Sequence, residues 1–149
     1  MIKITEVKIR IESTIDNLDE SGLPIGDPER SVSEAEGFLR YEDGDATLTY
    51  REENEGGKAD SEIICSGGRV TVVRHGDIES EMVFEQGARH SFIYSLPPYK
   101  FDAEIITKRV RAELNPDGGR IDLLYNMQIG GAQKATRMKI WISPSSNQI

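Results

Sequence analysis

Apolar and polar residues alternate one for one along most of this chain, and that period constrains its fold more than any other feature. Side chains on a strand point to opposite faces in turn, whereas a helix brings them back only about every 3.6 residues. Ile78, Ser80, Met82 and Phe84 alternate with Glu79, Glu81 and Glu85, and Ile121, Leu123, Tyr125, Met127 and Ile129 alternate with Asp122, Asn126 and Gln128. The same reading holds for Ala46, Leu48 and Tyr50, for Val70 and Val72, and for His90, Phe92 and Tyr94. It holds again for Tyr99, Phe101, Ala103 and Ile105, and for Met138, Ile140 and Ile142. These are half-buried strands with one wet face, and no helix competes with them. The fold class is all-β.

Turn signals separate the strands: Asp43-Gly44-Asp45, Asn54-Glu55-Gly56-Gly57, Ser66-Gly67-Gly68, His75-Gly76-Asp77, Gln86-Gly87, Asn115-Pro116-Asp117-Gly118-Gly119 and Gly130-Gly131. Glycine supplies the positive φ of tight hairpins, and Asp or Asn tolerates it. A turn roughly every ten residues is the mark of a meander in which sequence neighbours pair. The expected architecture is a single antiparallel up-and-down β-barrel of about eight to ten strands, in one domain spanning all 149 residues.

Some stretches break the pattern. Apolar residues fall at Ile2 and Ile4 and then, out of phase, at Val7, Ile9 and Ile11, which a β-bulge would explain. Asp16 to Arg30 holds Gly22, Pro24, Gly26 and Pro28 without periodicity and reads as a long loop or mobile lid. Ser95-Leu96-Pro97-Pro98 interrupts the ladder between two strands, and residues 143–149 read as a flexible tail.

The formal net charge of -8 disfavours nucleic acid or an anionic membrane as partner, since both require clustered Lys and Arg. Lys108, Arg109 and Arg111 do cluster, but they alternate along a strand among Glu104 and Glu113 and read as a solvated face. The lone Cys65 has no partner for a disulfide or a cysteine metal site. Met1 to Ile11 lacks the apolar run of a signal peptide, and no segment is long and apolar enough to span a membrane, so a cytoplasmic location is expected. Neither His75 nor His90 has ligand spacing, Asp16, Asp19 and Glu20 lack the pattern of a calcium loop, and the Gly-Gly pairs sit in hairpins rather than before a helix. No metal or cofactor is expected.

The ordered motifs Glu36-Gly37, Tyr50-x-Glu52, Gly68-x-Val70-x-Val72-x-Arg74-x-Gly76 and Met82-x-Phe84-x-x-Gly87 continue with Tyr94 before a proline turn, Thr107, and Gly118-Gly119-x-Ile121-x-x-x-Tyr125. From Glu36 to Ile142 the chain thereby resembles the YwiB-like family, small uncharacterised bacterial proteins with a calycin-like, or lipocalin-like, β-barrel. It departs from the family pattern at Leu96-Pro97-Pro98-Tyr99-Lys100, where a Thr-Pro turn followed by glycine is usual, and in the longer Asp16 to Arg30 segment. The resemblance implies a fold. For function it implies only that calycin barrels generally enclose small apolar ligands.

Candidate ligand-binding residues are Arg74, His90, Tyr94, Tyr99 and Tyr125. The alternation that points Val70 and Val72 inward points Arg74 inward, and a guanidinium there requires a partner, either a rim glutamate or an anionic ligand group. His90, Tyr94 and Tyr99 share a face with Phe92 and Phe101, a polar-tipped aromatic lining of the kind that orients a ligand and equally one that fills a core. Trp141, out of phase with Ile140 and Ile142, faces outward as a dimer contact or packs on the N-terminal strand.

The leading reading is a binding protein that holds a small apolar or amphipathic molecule in the barrel. The alternative is a solid-core interaction or regulatory protein acting through rim loops or as a homodimer. An enzyme with His90 or Glu36 as base is a third reading, but no serine or cysteine stands in a nucleophile context, and no catalytic residue is assigned.

Overall fold

The computed structural model, in which residues 1–54 and 57–145 are described, consists of ten antiparallel strands joined by short turns. They are β1 (Ile2–Leu18), β2 (Glu29–Glu42), β3 (Asp45–Asn54), β4 (Gly57–Ser66), β5 (Arg69–Gly76), β6 (Ser80–Glu85), β7 (Arg89–Leu96), β8 (Tyr99–Asn115), β9 (Gly118–Ile129) and β10 (Ala132–Pro144). All belong to one sheet in the order β6-β5-β4-β3-β2-β1-β10-β9-β8-β7. Every pair of sequence neighbours except β6 and β7 is therefore paired in the sheet, and β1 pairs with β10. The two ends of the order, β6 and β7, are tied at their extremities. Glu79 and Ser95 exchange backbone hydrogen bonds of 2.9 Å each, and Thr107 accepts from Gly87 at 2.9 Å and donates to Ala88 at 3.0 Å. The result is a nearly closed barrel, as the alternating pattern requires. Among the described residues no helix is long and apolar enough to cross a membrane.

The turns β2–β3, β4–β5, β6–β7 and β8–β9 gather at one end, here the lower end, and the others at the upper end. Val7, Ile9, Leu39, Leu48, Ile63, Val70, Phe84, Ile105, Ile121, Leu123 and Ile140 are fully buried and fill the lower half and waist. The Gly67-Gly68 turn shows why glycine punctuates the chain: both residues have positive φ, 59° and 77°, as a two-residue turn matching strand twist demands.

Several sequence expectations are corrected. β1 contains no bulge, because its register with β2 runs unbroken from Ile2↔Glu42 to Ile15↔Glu29. Ile2 and Ile4 are instead exposed on the outer face. The bulge lies in β8, where the register slips between Thr107 and Arg109. Thr107 points inward before it and Val110 and Leu114 after it, so Lys108 and Arg109 do not alternate across the sheet.

The irregular connection is shorter than Asp16 to Arg30. Asp16–Leu18 pair with β10 and Glu29–Arg30 with β1, which leaves 19–28. Nor is that stretch a loose lid: the Asp19 carboxylate accepts from the Ser21 and Leu23 amides at 2.8 and 3.0 Å, and Ile25 donates to the Asn17 carbonyl at 2.7 Å. At the C-terminus, Ser143 and Pro144 extend β10 against β1, and the buried Ser145 donates its amide to the Glu6 carbonyl at 2.9 Å. Of the expected tail, 143–145 are held in place, and 146–149, like Glu55 and Gly56, lie outside the described residues.

Candidate functional site

The packed core gives out toward the upper end, and the side chains that take its place are polar. Arg74 follows Val70 and Val72 on the inner face of β5. Its cross-strand neighbours are Ser61 on β4 and Ser80 on β6, and Tyr50 on β3 lies across from Ser61. Two serines flank the arginine because only small side chains leave its guanidinium room. One step further along the inner face of β3 stands Glu52.

Glu52 Oε2 lies 3.2 Å from Arg74 Nε, with the side chains 17% and 19% exposed respectively, so the charges meet mostly out of water. The other oxygen, Oε1, accepts from the Tyr50 hydroxyl at 3.1 Å. Burial by itself would lower the arginine's hold on its proton, yet the Glu52 carboxylate, helped by Tyr50, Tyr94 and Tyr125, keeps it above the ordinary arginine value. Burial, and then Glu52, push the Tyr50 phenol well up. Tyr125 stands on β9 between Thr107 and Thr136 and tilts against Phe84, with ring centroids 4.7 Å apart. Burial pushes its phenol up to about 12, against a smaller opposing pull from Arg74.

Arg74 sits where two lobes of a hollow meet. Val72, Arg74, Tyr94 and Met138 line both. The first lobe, about 280 Å³, is a cleft between β2 and β3, bordered by Ser31, Ser33 and Glu52. The second, about 230 Å³, runs among Met82, Phe84, Tyr125, Met127, Ile129 and Lys134. The cleft has a backbone cause. β2 and β3 pair only from Gly37↔Tyr50 down to Glu42↔Asp45, and above that point they part. Gly37 closes the paired stretch so tightly that a Cβ there would run into the Thr49 carbonyl oxygen.

Of the residues singled out from sequence, the structure gathers Arg74, Tyr94 and Tyr125 and leaves the other two outside. His90 is half-buried on β7 across from Ile105, stacked on Phe92 with centroids 6.2 Å apart, and borders neither lobe. Tyr99 is 67% exposed at the β7–β8 turn, because the barrel ends before its position in β8. Trp141 faces outward between Arg10 and Arg120 on the neighbouring strands, half-buried on β1.

Sequence reasoning placed Ser80 on the inward face with Met82 and Phe84 but missed Glu52, Ser61 and Lys134 as interior residues. Parity could have found two of them. Glu52 continues the inward series Ala46, Leu48, Tyr50, and Lys134 precedes the inward series Thr136, Met138, Ile140.

The buried polar groups are not all satisfied. Ser80 Oγ and Thr107 Oγ1 have no hydrogen-bond partner among the described residues, and Arg74 Nε faces Glu52 without the alignment of a hydrogen bond. Each such group costs about 1–3 kcal/mol until something completes it.

A family model described as a domain of unknown function, DUF1934, matches residues 9–141, and the chain belongs to that family. The uncharacterized beta-barrel protein YwiB of Bacillus subtilis (strain 168) is 29% identical over 98 residues, 66% of this chain and 69% of that protein. The crystal structure of ywiB protein from Bacillus subtilis matches with a TM-score of 0.83 at 24% identity, covering 96% of this chain and 94% of that one. The family read from the ordered strand and glycine motifs is therefore the right one, and the structural likeness extends to the whole ten-stranded sheet.

Proposed function

We propose that this member of the DUF1934 family is a binding protein that takes one small amphipathic molecule into its barrel, as calycin-like barrels do. The hollow around Arg74 carries the reading. A barrel of this size can fill its interior with side chains, and the lower half of this one is filled. The upper half holds a two-lobed space, and in its inner lobe apolar walls converge on a few polar groups, the ordinary composition of a small-molecule site.

In this reading the polar end of the ligand meets Arg74, whose Nε lacks an aligned hydrogen bond, together with Tyr94 and Tyr125. The apolar end lies among Met82, Phe84 and Met127, at about 0.8 kcal/mol for each buried methylene. His90 and Tyr99 take no part. The unpaired Cys65 thiol, buried and pushed up to about 12, suits a reducing cytoplasm.

The test is native mass spectrometry of protein purified from its own host, followed by denaturing extraction of whatever is bound. A stoichiometric small molecule, lost in Arg74→Ala and Tyr94→Ala, is the expected result. A clean apo mass overturns the reading, and a clean dimeric one moves the weight to an interaction protein that works as a homodimer.

A further inference from the structure

We infer that the inner lobe takes a small organic anion, a monocarboxylate with a short apolar body, whose head group sits between Arg74 and Lys134. The inference rests on the binding reading above and narrows it to a ligand class.

The charges on the two sides of Arg74 carry the argument. The cleft lobe holds Glu34, Glu52 and Glu53 against Arg51 and Arg74, so it is already supplied with carboxylates. Among the described residues, the inner lobe is bordered by Arg74 and Lys134 and by no Asp or Glu. Arg74 is thus engaged by Glu52 on its cleft side and faces the inner lobe without a carboxylate there.

Lys134 is half-buried at the upper end of β10, across from Met127 on β9 and Asn17 on β1. Among the described residues it makes no ion pair, whereas Lys3 and Lys58 each pair with a carboxylate. In a chain of net charge -8, an interior compartment with two cations and no acid is set against the charge of the whole molecule. An anion placed beside two cations in a partly enclosed lobe is attracted more strongly than it would be in open water. The Tyr94 and Tyr125 phenols stand on the same walls, and a phenol O–H can donate to a carboxylate.

The remaining wall sets the body of the ligand. Met82, Phe84, Met127 and Ile129 are apolar, and three methionines counting Met138 adapt to irregular shapes. The lobe, about 230 Å³, equals roughly eight water volumes at ~30 Å³ each. That suits an acid of roughly ten non-hydrogen atoms.

The test uses the full chain and three ligands that share a tail: octanoate, octanamide and octylammonium, titrated by two-dimensional NMR that follows the backbone amides of β9 and β10 and the Arg74 Nε–H signal. Octanoate is expected to bind on the order of tenfold or more tighter than octanamide, with octylammonium weakest. Lys134→Met should erase the preference for octanoate over octanamide. Octanamide binding as tightly as octanoate to the native chain, or an unchanged preference in Lys134→Met, overturns this inference and leaves the binding reading standing. Failure of all three to shift interior signals overturns the binding reading and this one with it.

Discussion

Arg74 Nε lies 3.2 Å from Glu52 Oε2, and this pair sets the boundary between the cleft and the inner lobe of the barrel. Glu52 is held on both oxygens, by Arg74 on one and by the Tyr50 hydroxyl on the other. The carboxylate therefore stays on the cleft side, and the arginine presents its remaining surface inward.

A double-mutant cycle on this pair should show strong coupling. Glu52→Gln or Arg74→Met alone leaves a mostly buried charge without its partner and should cost about 2–4 kcal/mol in urea unfolding. The double variant removes both charges and should cost less than the sum of the two by about 1–3 kcal/mol. Additive costs would mean that the pair is held apart by solvent and contributes no boundary.

Gly37 is where β2 and β3 part, and the fold depends on its lack of a side chain. Gly37→Ala should destabilise by about 2 kcal/mol or more, since the clash is with backbone that cannot rotate away. Gly67→Ala, in an open turn at φ 59° with nothing within 4 Å, meets only backbone strain and should cost about 1 kcal/mol. Equal unfolding midpoints in urea for the two variants would remove the close approach as the cause of the cleft.

The all-β class and the neighbour-to-neighbour pairing were legible because period-two alternation and glycine turns act locally. The phase breaks were not. Ile2 and Ile4 followed by Val7 and Ile9 look the same in sequence as Ile105 and Thr107 followed by Val110. The first is a straight strand with two exposed isoleucines, and the second is a true bulge. Alternation reports which residues share a face, and only pairing with neighbours tells which face is wet. The Asp19 turn and the last residues of β10 escaped for a related reason: they are fixed by partners far along the chain or by backbone amides, which composition does not show.

In the site, parity pointed Arg74, Tyr94 and Tyr125 inward correctly. It promoted Tyr99 wrongly, because parity says nothing of where along its length a strand leaves the barrel. Glu52 was visible in the same series as Tyr50 and was passed over because an inward carboxylate contradicts the apolar expectation. The structure resolves that contradiction by setting Arg74 beside it.

Val72 lines both lobes and offers a way to fill the hollow without touching a polar group. Val72→Phe should occupy ligand space while changing stability by no more than about 1.5 kcal/mol, since the added ring enters a void rather than a packed core. Loss of any retained small molecule with an intact two-state unfolding curve is the expected result. A loss of several kcal/mol would show that the hollow cannot accept an added ring.

Alkaline pH should unfold the barrel from within, and the sign follows from burial. Tyr125 is pushed up to about 12, above the ordinary value near 10. The folded chain therefore keeps this proton over a range in which the unfolded chain gives it up. The stability this contributes is fully present below pH ~10 and is lost as pH rises from about 10 toward 12, on the order of 2–3 kcal/mol. Cys65, likewise pushed up to about 12 by burial, begins to contribute in the same direction at slightly lower pH. Urea midpoints measured from neutral pH upward, with tyrosinate absorbance as a second probe, should fall along that limb. Tyr125→Phe should make it shallower above pH ~10, where the buried Tyr50 phenol, also pushed up, still contributes, and Cys65→Val should flatten its onset. An unchanged alkaline limb in Tyr125→Phe would mean that the phenol reaches water in the folded barrel.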